Sequence, residues 1–154
     1  MVAPSKAEVV RFAGGWLFDR AAAGWDVTVL TSDPRDCRPL RILGARTTDL
    51  ESVLASPVRG PRPRAIALGA DACDCDSRVR RLVLEALSDG VAEVRCWGDR
   101  WPADLDGEAT PVRHRLSVAA QAFKAQALAA VAVRADPGEV TETFRTGAPH
   151  RSPA

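Results

Sequence analysis

The chain has 154 residues, 46% of them hydrophobic and 27% charged, with a formal net charge of +1. That size and balance fit one globular domain able to bury its own core. The near-zero charge gives no global attraction to nucleic acid or to a membrane surface. No apolar run approaches the roughly 18 residues that span a bilayer. Arg11 and Asp19 interrupt the apolar residues near the N-terminus, where a secretory segment would need an unbroken run. The chain is therefore expected in the cytoplasm, with Cys37, Cys73, Cys75 and Cys96 as reduced thiols.

Residues 1–4 read as a loose lead-in. Ser5 and Glu8 have capping-box spacing, with Ser5 capping the helix and Glu8 reaching back. Val9, Val10, Ala13, Trp16 and Leu17 then keep a helical period that Gly24 ends. Gly14-Gly15 weakens this helix by roughly 1 kcal/mol per glycine or admits close packing, and the sequence leaves both open. Residues 26–31 are a β-branched run that reads as a strand, and 40–43 as a shorter one. Thr48 and Glu51 repeat the capping-box spacing before a short helix that stops at Pro57. The Pro-rich stretch 57–64 is a connection.

Residues 65–68 are the third strand, and Asp76 or Ser77 caps the next helix. Residues 94–97 are the fourth strand and 98–112 a polar loop. Residues 114–134 carry the strongest helical pattern, with Leu116, Ala120, Phe123, Ala127 and Leu128 near one face. Residues 136–154 are polar and read as a disordered tail. The expectation is one α/β domain over 5–135: a three-layer, open, mostly parallel sheet of about four strands with helices on both faces.

In such a sheet, ligands bind outside the C-terminal ends of the strands. Asp33, Asp71 and Asp99 fall after the first, third and fourth strands, where together they can hold Mg²⁺ or supply a base. The competing reading is turn and cap chemistry. Cys73-Asp74-Cys75 offers two thiolates, but a closed zinc site needs four ligands, and Cys37, Cys96, His114 and His150 are scattered. No metal and no cofactor are expected. A thiol at Cys73 or Cys75 near a helix start can still be reactive. There is no Walker A loop, no G-x-G-x-x-G and no G-x-S-x-G elbow, and no catalytic residue is assigned. Trp101, in the polar loop, and Arg78 and Arg81, opening a helix, are candidates for a partner surface.

The order of a helix, strands at 26–31 and 40–43 and a helix at 48–55 resembles a RecA-like core without its phosphate loop, as in bacterial SOS cell-division inhibitors. The resemblance is architectural, spans residues 5–99 and implies a frame kept as a binding surface after loss of nucleotide chemistry. The sequence thus predicts a non-catalytic regulatory or protein-interaction domain. Its partner is expected to be another protein, not nucleic acid or membrane. The alternative is a small-ligand-binding or metal-dependent enzyme using the edge aspartates.

Overall fold

The computed structural model describes residues 1–56, 62–88, 93–98, 100–102, 105, 109–134, 136 and 139–147. Among these the elements run β1 (Val2–Ala3), α1 (Lys6–Ala22), β2 (Thr28–Thr31), α2 (Arg38–Ile42), β3 (Arg46–Asp49), α3 (Leu50–Ala55), β4 (Ala65–Gly69), α4 (Ala70–Cys75), α5 (Ser77–Ser88), β5 (Glu93–Trp97), β6 (Ala109–Arg115), α6 (Val118–Ala130) and β7 (Thr141–Gly147).

The fold is α/β, with one mixed sheet of seven strands in the order β3-β2-β1-β4-β5-β7-β6. β1 to β5 pair in parallel. β7 is antiparallel to both β5 and β6. The first five strands thus follow the doubly wound order 3-2-1-4-5, whose direction of growth reverses between β1 and β4.

The alternation of strand side chains divides the core into two layers. Ala3, Val29, Ala67, Trp97 and Phe144 face α1, α2 and α6. Val2, Ile66, Leu68, Val94 and Cys96 face α3 and α5 through Leu50, Val79, Val83 and Leu87. Helices therefore cover both faces, as predicted. No helix among the described residues is long and apolar enough to cross a membrane.

Six elements differ from the sequence expectation. Residues 40–43 lie mostly in α2, with Pro39 in its first turn, where a missing N–H costs nothing. The strand expected there is β3, Arg46-Thr-Thr-Asp, an edge strand without apolar alternation. The likeness to a RecA-like core rested on a strand at 40–43 and loses that support. Residues 109–115, expected as loop and helix start, form β6 at the opposite edge. The helix expected from 114 starts at Val118, capped by Ser117, whose Oγ accepts from Ala120 N. Phe123 of that helix is half exposed, not interior.

The expected disordered tail contains β7, which lies inside the sheet between β5 and β6; residues 148–154 lie outside the described residues. The lead-in contains β1, two residues between β2 and β4.

Helix α1 is fastened by two devices. Ser5 Oγ accepts from Glu8 N at its start. At its end Gly24, at φ +89°, lets Gly24 N reach Ala21 O and Trp25 N reach Arg20 O, a Schellman closure that folds Trp25 back over the last turn.

Candidate functional site

The reversal between β1 and β4 opens toward α1, Gly69 and the end of β5. Here Glu8 does not complete a capping box. Its Oε1 instead accepts from the indole Nε1 of the buried Trp97, at 2.9 Å. Gly69 lies directly beneath this pair. A Cβ on it would fall 2.5 Å from Glu8 Oε1 and 3.1 Å from Trp97 Nε1. The crevice where a doubly wound sheet ordinarily holds its ligand is thus bridged by a carboxylate–indole hydrogen bond seated on a residue with no side chain.

Of the predicted aspartates, Asp33 and Asp71 each have their own partners. Asp33 accepts from Arg35 N and Arg35 Nε, at 3.2 and 3.0 Å, and lies 3.9 Å from Lys6 Nζ. These donors hold its carboxyl below the usual carboxylate range. Lys6 Nζ also donates to the Arg35 carbonyl. Asp71 meets Arg100 at 2.9 Å, and the same guanidinium reaches Asp74 at 2.7 Å. Asp99 lies outside the described residues. No group of three or more His, Cys, Asp or Glu able to hold a metal occurs among the described residues.

Of the two candidate thiols, Cys73 is buried in the core beside Val79 and Cys96, and Cys75 is exposed. Burial pushes the Cys96 thiol up to about 12, with the nearby Cys73 adding to it.

The candidate partner residues also separate. Trp101 is half-buried. Its Nε1 donates to Leu105 O at 3.0 Å, and its ring covers Gly147, where a Cβ would meet it at 2.6 Å. Arg78 is held by Asp76 and by both oxygens of Glu51, at 2.9 Å each, in a surface ion pair that ties α5 to α3. Arg81 is exposed on α5, 3.9 Å from Glu85 one turn on.

Two further sites were not read from the sequence. The first is a buried charge cluster. Glu142 on β7 accepts from the backbone N–H groups of Gly15 and Trp16, in the middle of α1, at 2.8 Å each. Lys124 Nζ donates to the same carboxylate at 2.8 Å and to Glu139 at 3.3 Å. Burial pushes the Glu142 carboxyl up, against the pull of Lys124 and the two N–H groups. Lys124 was legible: it falls on the apolar face of α6 with Ala120, Ala127 and Leu128. Glu142 was hidden in a stretch with little apolar content.

The second is a cavity of about 650 Å³ at the opposite end of the sheet. It lies where β2 and β4 begin, at Thr28 and Ala65, under the end of α1. Trp16, Arg20, Trp25 and Arg64 line it. The Arg20 guanidinium lies 5.4 Å from the Trp16 ring and 4.6 Å from the Trp25 ring. Arg64 is 5.6 Å from Trp25, and Arg95 is 5.0 Å from Trp16. Cations and indoles thus alternate from the core to the cavity mouth. The signal in the sequence is the Arg20–Trp25 spacing across a helix-ending glycine.

No protein-family model, no curated protein and no solved structure matches the chain.

Proposed function

We propose that the chain is a cytoplasmic, non-catalytic regulatory domain that acts by binding another protein. The observation that carries this reading is the Glu8–Trp97 hydrogen bond over Gly69. It fills the position at which a doubly wound sheet receives a ligand, and it uses the protein's own side chains to do so. The ion pairs of Asp33 and Asp71 with Lys6, Arg35 and Arg100 support it further, because each carboxylate already has a cationic partner. A frame without an open crevice acts through its outer surface. On α5 that surface offers Arg81 beside the exposed Leu84, an apolar and charged pairing suited to a protein partner.

The test is purification of the untagged complex from native cells, with the α5 double variant R81E/L84D as control. The expected result is one protein retained in constant ratio through gel filtration by the wild type and lost by the variant. The reading fails if nothing is retained while Mg²⁺ or a nucleotide raises the melting temperature in a way that Asp33→Asn abolishes, because that places ligand chemistry at the sheet edge.

A further inference from the structure

We infer that the cavity under the end of α1 is a binding site for a small planar aromatic anion of mononucleotide size, stacked at Trp25 and neutralised by Arg20 and Arg64. This goes beyond the protein-binding reading and does not depend on it. The volume of about 650 Å³ is in the range of small-molecule sites, roughly 300–1,000 Å³, and exceeds what packing defects leave.

The lining carries the two features such a ligand needs. Trp25 presents indole surface beside the almost fully buried Trp16, and it is held in place by the Schellman closure at Gly24. Arg20 and Arg64 stand against Trp25, and among the described residues neither makes an ion pair with a carboxylate. Stacking on an indole leaves the edge N–H groups of a guanidinium able to donate, and that planar fork matches carboxylate and phosphate oxygens.

The local charge favours an anion. Arg20 and Arg64 stand in the lining with one carboxylate, Asp26, which is already paired with Arg46. The C-terminal end of α1 opposes an anion, but by only about half an elementary charge. Two full cations outweigh it. An aromatic body satisfies the indoles, and an anionic group satisfies the arginines. An uncharged aromatic or a bare inorganic anion meets only one of the two demands.

The experiment is calorimetric titration of the full chain with AMP, adenosine and inorganic phosphate, repeated on Arg64→Ala and Trp25→Leu. AMP is expected to bind saturably with a dissociation constant below about 1 mM. Adenosine and phosphate are expected to bind at least about tenfold more weakly. Each variant should lose at least about tenfold in AMP affinity while melting within roughly 3 °C of the wild type. If a variant fails to fold, Arg64→Gln, which keeps the stem and removes the charge, gives the same readout. The inference is overturned if AMP shows no saturable binding. It is equally overturned if adenosine or phosphate matches AMP, or if AMP affinity is unchanged in the folded variants.

Discussion

The side chains of Lys124 and Glu142 meet at 2.8 Å with almost no exposure on either, and the same Glu142 carboxylate grips two backbone N–H groups of α1. This contact joins α6, β7 and α1, elements far apart in the chain. It also explains how a strand as polar as β7 sits inside a sheet: its one buried charge is fully partnered. Removing one member leaves the other buried without its close counter-charge. Lys124→Met is expected to cost about 3–5 kcal/mol in urea unfolding. Glu142→Leu should cost a similar amount, because it leaves the buried Lys124 ammonium with only the longer contact to Glu139.

Gly14 and Gly15 are adjacent but are expected to respond differently to alanine. A Cβ at Gly15 would fall 2.3 Å from Leu116 Cδ2 and 2.4 Å from Leu116 Cγ, so the branch point itself must move. Gly15→Ala should destabilise by about 1–3 kcal/mol. At Gly14 the nearest atom is Leu43 Cδ1 at 3.3 Å, the tip of a side chain. Its overlap is offset by a helix-propensity gain of about 1 kcal/mol, so Gly14→Ala should be close to neutral. Thermal melts of both variants check this, and Leu116→Ala should recover part of the Gly15→Ala loss.

The sequence leaves open whether the glycine pair is slack or packing, and the structure shows packing. Elsewhere, legibility followed apolar content. α1, β2, β4, α5 and β5 show clear periods because one or both of their faces are buried. β3 and β6 are edge strands that satisfy one ladder each and carry Thr, Arg and Asp, so no alternation marks them. Pro111 in β6 reads as a loop residue, yet an edge strand tolerates it. Leu40, Ile42 and Leu43 mimic a buried strand because a short apolar run fits either period. At the candidate site, Glu8 was legible as a helix-start residue, but its bond to Trp97 depends on strand order, which local spacing does not encode.

Acid stability should depend on Asp19. Burial pushes its carboxyl up, but hydrogen bonds from Ser117 and His114 outweigh this and hold it below the ordinary value of 3.8. A carboxyl lowered by folding contributes stability above its unfolded pKa and loses it as pH falls through the folded pKa. Glu142 has the opposite sign: its raised carboxyl favours the fold below 4.5 and loses that contribution as pH rises. In pH-dependent unfolding, Asp19→Asn should therefore lower stability at neutral pH and flatten the loss below about pH 4.

Thiol chemistry separates Cys75 from Cys73 and Cys96. In the folded protein a disulfide reagent should modify the exposed Cys75 first, and Cys75→Ser should remove that fast phase. Cys73 and Cys96, both buried, should react only on the timescale of unfolding.

The closed crevice is tested most directly by the four tryptophan indole N–H signals in a ¹H–¹⁵N spectrum, because Trp16, Trp25, Trp97 and Trp101 occupy different places. The Trp97 signal should exchange slowly with solvent, owing to its bond to Glu8. It should stay in place on titration with Mg²⁺, Zn²⁺ and a panel of nucleotides, while AMP moves the Trp25 signal. A saturable shift of Trp97 with any of these, accompanied by shifts at Glu8 and Gly69, would mean that the crevice opens to a ligand, and would contradict the account.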